Sequence, residues 1–302
     1  MQVRIHYLQH HQINKARWDK CIEAAANALV YPCSYYLDAM ASHWDALVLD
    51  DYTMVMPLPW RKKAGIYYLY QPPFTAQLGV FGQAPVDQVL PAFLSAVPKK
   101  FRYWDFSLNS ANLNTNSGFP IFERSNYVLD LNKSYNELYA GYRDNVKRNI
   151  RRAASNQCSI KADTSVDEVI AMAAQQAHGI TPNDLARFKQ LTSFLENSAA
   201  VRSYGVVSSG GQLVASAVFI IWQQRAYYLL VGNHPNGRTL GASHLLIDSF
   251  IKDHAGSSLT LDFEGSDIRN LAFFYSSFGA TEERYPAIRL NRLPWYLRWL
   301  KN

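Results

Sequence analysis

Gly205-Val-Val-Ser-Ser-Gly-Gly-Gln-Leu-Val-Ala-Ser-Ala-Val-Phe-Ile-Ile-Trp222 reads as a strand, a tight polar turn and a longer strand ending in Trp. Ser-Gly-Gly between two apolar runs is a hairpin signal, because glycine supplies the backbone angles that a two-stranded reversal needs. The same order occurs earlier, in Leu47-Val-Leu-Asp-Asp-Tyr-Thr-Met-Val-Met-Pro-Leu-Pro-Trp60, where Asp50-Asp51 forms the weaker turn. Working outward, Arg61–Gly65 leads into Ile66-Tyr-Tyr-Leu69, and Gln223–Arg225 leads into Ala226-Tyr-Tyr-Leu229. A segment of helical period follows each, Val86–Val97 and Leu240–His254. Next come short strands holding Asp-Phe, at Asp105-Phe106 and Asp262-Phe263, and then a strand after Glu123-Arg124 and after Glu283-Arg284. Order and spacing that agree over this many elements predict two copies of one β-rich α/β unit. The expected domains are 1–124 and 125–302.

Between the copies the pattern is helical. Ser134 with Glu137 forms a capping box that opens a helix running to Ala154, with apolar residues at Leu138, Val146 and Ile150. Further helices are expected over Val166–Ala177 and Pro182–Asn197, the second starting on a proline suited to a first turn.

With 302 residues, 48% hydrophobic and 18% charged, the chain is long and apolar enough for two packed cores. The net charge of +6 suits an acidic or phosphorylated ligand and does not by itself indicate nucleic acid; DNA is not expected as a partner. Cys21, Cys33 and Cys158 are scattered, without the spacing of a zinc site or a disulfide framework, so no metal is expected. The N-terminus lacks the apolar core of a signal peptide, and Leu213–Trp222 is too short for a bilayer span. A cytoplasmic location is expected. The aromatic, basic tail Leu293–Lys301 is expected to pack back on a domain; peripheral membrane contact is the alternative.

After the second Tyr-Tyr-Leu strand the chain reads Val231-Gly-Asn-His-Pro-Asn-Gly-Arg-Thr-Leu-Gly-Ala-Ser243. A strand that feeds a glycine-bearing loop into a helix start presents free amides and a partial positive charge to an anion. Arg238 adds a cation. The bland alternative is an ordinary loop before a surface helix. The first copy has Gln71-Pro-Pro-Phe74 at this place, and proline lacks the amide donor.

Arg238-Thr-Leu-Gly241-Ala-Ser243 resembles the Arg/Gln-x-x-Gly-x-Gly/Ala signature of the GNAT N-acetyltransferase superfamily, with Ser in the last position. Asp262-Phe-Glu-Gly-Ser266 followed by Phe274-Tyr-Ser-Ser-Phe-Gly279 resembles the C-terminal motif of its Fem peptidyltransferase-like branch, which has two tandem domains. Arg143–Arg152 resembles that branch's connecting helix. The resemblance implies an α/β fold of two tandem GNAT-like domains, each a mixed, mostly antiparallel twisted sheet flanked by helices. It also implies acetyl-CoA or another acyl-CoA as donor, held by Val231, Arg238, Thr239, Leu240, Gly241, Ala242 and Ser243.

Tyr275, four residues before Gly279, matches a tyrosine that in many GNAT enzymes protonates the leaving thiolate. It can equally be a packed aromatic beside Phe273, Phe274 and Phe278. The Fem ligases commonly carry Lys there, which favours a CoA thioester over aminoacyl-tRNA. Asp262 and Glu264 alternate on a strand and are expected to face the same way, one binding the amine and Glu264 accepting its proton. Alternatively Arg269 or Arg284 satisfies the pair, and Asp105, repeating Asp262, suggests a role in the fold. His178, His234, His244 and His254 are minor candidates as base.

Arg143, Lys147 and Arg151, with Arg148 and Arg152, make one cationic helix face, either merely solvated or holding a nucleotide, tRNA or anionic lipid. The leading expectation is N-acyl transfer from a CoA thioester to a small-molecule or peptide amine in a ternary complex. The alternatives are a Fem-like aminoacyl-tRNA-dependent peptidyltransferase acting on a cell-wall-type precursor, and a non-catalytic binding module.

Overall fold

The structure is a computed structural model that describes residues 4–83, 85–113, 118–161, 164–176, 179–196, 200–265 and 267–296, with the side chains of Asp87 and Arg238 outside the description. His178, Ser266 and the tail beyond residue 296 lie outside the described residues.

The chain first forms β1 (Ile5–Leu8), α1 (Lys15–Ala24), α2 (Ser34–Met40), β2 (Trp44–Leu49), β3 (Met54–Lys63), β4 (Ile66–Tyr70), β5 (Phe81–Gly82), α3 (Val86–Ala96), β6 (Phe101–Ser107) and β7 (Ile121–Asp130). It continues with α4 (Tyr135–Ala140), α5 (Asp144–Ser155), β8 (Ser159–Lys161), α6 (Val166–Ala174), α7 (Pro182–Glu196), β9 (Val201–Val207), β10 (Leu213–Trp222) and β11 (Arg225–Asn233). Then come α8 (Pro235–Leu240), α9 (Ala242–His254), β12 (Thr260–Asp262), α10 (Arg269–Ser276) and β13 (Thr281–Asn291). Two compact units result. One is Met1–Arg124 with Arg284–Asn302, and the other is Ser125–Glu283.

The expected extent of the second domain, 125–302, therefore differs from the structure at its end. Ala287–Asn291 of β13 pair antiparallel with Tyr103–Ser107 of β6, which places that strand in the first unit. Correspondingly, Val128–Asp130 of β7 pair with β12 in the second unit. Each unit is thus closed by a strand whose chain segment begins in the other. A repeat read along the sequence cannot reveal this, because both strands offer the same alternating pattern to either sheet edge.

Each unit holds a mixed, mostly antiparallel sheet. In the first, β1, β2, β3 and β4 are antiparallel neighbours, β6 joins β4 in parallel, and β13 follows. In the second, β8, β9, β10 and β11 are antiparallel neighbours, β12 joins β11 in parallel, and β7 follows. A parallel neighbour needs a crossover, which α3 supplies in the first unit and α8–α9 in the second.

The run Leu213–Trp222 is almost continuously buried because both faces of β10 are covered. On one face the Phe219 ring stacks on Phe250 of α9 with centroids 3.9 Å apart. On the other, the Ser216 hydroxyl meets Met172 of α6 at 3.4 Å. The first core gathers Met56, Leu58, Leu90, Phe93, Trp104 and Ile288. No helix among the described residues is long and apolar enough to cross a membrane.

The Ser134–Glu137 capping box is present, but the expected long helix is broken. α4 stops at Ala140, and α5 restarts after Arg143, whose amide bonds the Ser277 carbonyl at 2.9 Å. Tyr142 between them is buried edge-on against Phe278. The interior position of this tyrosine decides the break, and helical periodicity carries no trace of it. In the described part of the tail Leu293 is buried and Pro294 half-buried, whereas Trp295 and Tyr296 are exposed.

Candidate functional site

β11 and β12 pair only over Arg225↔Thr260, Ala226↔Leu261 and Tyr227↔Asp262. There β12 ends, while β11 continues from Tyr228 to Asn233. Where the two part, a cavity of about 450 Å³ opens. Tyr228, Val231 and Asn233 line it from β11, Ser243 and His244 from the start of α9, and Asn270, Leu271, Phe274 and Tyr275 from α10.

A bulge sets the β11 wall. Val218 of β10 faces Leu230 and Phe219 faces Tyr228, so Leu229 is an extra residue. An extra residue inverts the in–out alternation, and this puts Tyr228 on the same side as Val231 and Asn233.

In the first unit the corresponding gap is filled by its own chain. The Ser107 amide donates to the Gln71 side chain at 2.8 Å, and the Leu78 amide donates to the Ser107 carbonyl at 3.1 Å. The residues after β4 therefore take up the backbone groups of β6 where the second unit leaves an opening.

Tyr228 and Tyr275 line the cavity, and Glu264 lies close enough to Tyr275 to act on it electrostatically. The Tyr275 ring stacks on Phe263 (centroids 4.8 Å, 23°) and stands edge-on to Tyr228 (6.4 Å, 90°). Burial, and then the neighbouring Glu264 carboxylate, hold the Tyr275 hydroxyl above the ordinary tyrosine range. Burial, and then Tyr275, do the same to Tyr228. Burial pushes the Glu264 carboxyl well above the usual carboxylate range. Glu264 adopts φ +66, a left-handed conformation costly for a residue with a Cβ. Its amide is tied to Asp262 Oδ1 at 2.8 Å.

Residues 140–269 match the model of an acetyltransferase (GNAT) domain. Among solved structures, FemX is similar over 98% of this chain and 99% of its own, at 11% identity and a TM-score of 0.66. A tandem GNAT protein from the clavulanic acid biosynthesis pathway is similar over 96% and 99%, at 11% identity and 0.57. The C-terminal domain of a putative lysylphosphatidylglycerol synthetase from Agrobacterium fabrum is similar over 93% and 92%, at 10% identity and 0.53. The chain has a GNAT-superfamily fold of the Fem-like, tandem-domain kind. No curated protein matches it in sequence.

Within this GNAT fold the residues singled out from the sequence divide. Tyr275 and Glu264 come together, and Val231 and Ser243 line the same cavity. Asp262 goes elsewhere. It is 1% exposed, and its Oδ2 lies 2.8 Å from Arg225 Nε, while Arg225 Nη2 donates to Glu283 at 2.8 Å. Burial pushes the Asp262 carboxyl up, against the opposing pull of Arg225. The expectation that Asp262 and Glu264 face alike fails because β12 ends at Asp262, so strand alternation does not reach Glu264. The partner of Asp262 is Arg225, not Arg269 or Arg284. Asp105 likewise faces Arg289, at 3.4 Å.

The expected cofactor loop is partly a helix. Thr239 and Leu240 lie in α8, the Asn236 amide is taken by His234 Nδ1, and the Gly237 amide by the His234 carbonyl. The first turn of α9 remains as a place for an anion. There no side chain caps the helix, and among the described residues the Ser243 amide has no acceptor. The glycines serve packing. A Cβ on Gly237 would lie 2.2 Å from the Val214 carbonyl oxygen, and one on Gly241 would lie 2.3 Å from that of Asn149. Ala242 is buried, and the Arg238 side chain lies outside the description.

The Ser243 hydroxyl donates to Asn233 Oδ1 at 2.6 Å and so ties the helix start to the end of β11. His244, beside Phe274 and Phe278, is pushed down to about 4 by burial and is neutral at physiological pH. His234 and His254 do not line the cavity. Sequence reasoning missed Tyr228, Asn233, Gly237, Asn270, Leu271 and Phe274 as lining residues. The Tyr-Tyr-Leu repeat marks the strand of Tyr228, but only the bulge turns that residue inward.

Proposed function

We propose that the second unit catalyses N-acyl transfer from a CoA thioester to an amine. The observation that carries this reading is the pairing of Glu264 with Tyr275 beside a cavity opened by two parting strands. The free edge of β11 offers main-chain groups to the amides of an extended donor, as in strand addition. The diphosphate meets the first turn of α9, where the amide at Ser243 and the helix dipole favour an anion. Thr239, Leu240 and Gly241 hold that turn in place, and Arg238 adds charge. The first unit, its equivalent gap filled, binds no donor there.

The incoming ammonium loses its proton to Glu264, whose raised pKa suits it to accept one. The amine nitrogen attacks the thioester carbonyl, a C–N bond forms, and collapse of the tetrahedral adduct breaks the C–S bond. Tyr275, protonated across the neutral range, supplies the proton to the departing sulfur. The products are an amide and the free thiol of CoA. None of the three cysteines lines the cavity, which favours direct attack in a ternary complex.

The test is calorimetric titration with acetyl-CoA and CoA, followed by thiol-release assays across a panel of amines and longer acyl-CoAs. Absence of heat over a wide concentration range rules out this donor. A Fem-like aminoacyl-tRNA donor is the second reading, favoured by one observation. Arg143 at the start of α5, and Lys147, Arg148, Arg151 and Arg152 on it, have no carboxylate partner among the described residues. Strongly salt-dependent tRNA binding distinguishes it.

A further inference from the structure

α10 carries two kinds of surface. Leu271, Phe274 and Tyr275 wall the cavity. The same short helix and the residue that begins it also show large apolar side chains to solvent: Ile268 is 62% exposed, Phe273 52% and Leu271 40%. A soluble surface seldom concentrates three such residues within six positions, and a concentration of this kind marks an interaction site.

The neighbouring surface is cationic. Arg143, at the start of α5, lies over the Phe273 ring at 5.1 Å, and its amide bonds the Ser277 carbonyl just past the end of α10. From there α5 turns Val146 and Ala153 inward and Arg148, Arg151 and Arg152 outward. Asp144 is the one acidic residue of that helix. Arg143 thus borders the exposed Phe273, and Leu271 of the exposed set also lines the cavity.

We propose that this surface of α10 and α5 docks on an anionic phospholipid bilayer, with Ile268 and Phe273 entering the headgroup boundary and the arginines facing lipid phosphates. Aliphatic and aromatic residues together with arginines that have no carboxylate partner among the described residues match the two components of such a surface. A nucleic acid would use the charges but gains little from Ile268. Docking through Ile268 and Phe273 brings Leu271, which lines the cavity, toward the membrane. The binding itself does not depend on the acyl-CoA reading and is measured without donor.

The experiment is flotation of the full chain with vesicles of neutral phosphatidylcholine, and of phosphatidylcholine with 30% phosphatidylglycerol, at about 0.1 and 0.5 M salt. Binding is expected to the anionic vesicles alone and to fall at high salt. Arg148→Glu with Arg151→Glu should weaken it roughly tenfold or more. Ile268→Ser with Phe273→Ser should weaken it at least about fivefold, since their apolar burial is lost. Unchanged melting temperatures of both variants show that folding is intact. Absence of binding to anionic vesicles overturns the proposal. So does binding that ignores the Ile268/Phe273 change, or a surface that takes up bulk tRNA and leaves vesicles unbound.

Discussion

Glu264 stands in a left-handed conformation with its amide bonded to Asp262, and its carboxyl acts on the Tyr275 hydroxyl beside the cavity. A proton acceptor must be ionised to act. A carboxyl raised well above its usual range ionises later as pH rises, so kcat/KM should climb through an acidic limb that lies above the ordinary carboxylate range. Glu264→Gln should lower kcat about 10²- to 10⁴-fold and remove that limb from the pH–rate profile. Tyr275→Phe should lower kcat with little change in acyl-CoA affinity, because a phenol acting on the leaving sulfur contributes mainly in the transition state. A variant that loses donor binding and keeps kcat would instead make Tyr275 a wall of the cavity. Both residues are legible in the sequence as types at a spacing. That Glu264 neighbours Tyr275, while Asp262 meets Arg225 instead, follows from where β12 stops.

The elements around the site are fixed by close backbone approaches and one buried ion-pair network. Gly241 joins a positive φ to a carbonyl oxygen, that of Asn149, which an added Cβ would meet at 2.3 Å, so Gly241→Ala must shift α5 or α9. A loss of about 2 kcal/mol or more is expected in chemical denaturation, a cost of strain and overpacking together. Arg225 joins β11 to Asp262 and Glu283. Arg225→Met leaves the Asp262 carboxylate buried without its cation and should cost about 3–5 kcal/mol, whereas Asp262→Asn, which removes the buried charge, should cost less. If the two changes destabilised equally, the ion pair would not be what holds that strand end. The helices themselves follow from capping and period, as the Ser134 box and Pro182 show. The break at Gly141–Arg143 and the separate helix α8 do not, since a buried Tyr142 and a close-packed Gly237 act through neighbours distant in sequence.

Over the whole molecule, one unit leaves its parallel strands parted and the other fills the same place with Gln71 and Leu78. One donor per chain is therefore expected. Saturating acetyl-CoA at about a hundred times its Kd should stabilise by roughly 2.7 kcal/mol, read as a rise in melting temperature. Calorimetry giving two donors per chain would contradict the filled first site.

The duplicated order of hairpin, Tyr-Tyr-Leu strand, helix and Asp-Phe strand was set by local pattern, since apolar period and turn chemistry act between near neighbours in the chain. The GNAT likeness lies in other short stretches, Arg238–Ser243, Asp262–Ser266, Phe274–Gly279 and Arg143–Arg152. Tertiary structure alone decided the exchange of closing strands, the inward turn of Tyr228 at the Leu229 bulge, and the division of labour between Asp262 and Glu264. Each of these depends on which strand edge or cation arrives from a distant part of the chain, and sequence spacing carries no measure of that distance.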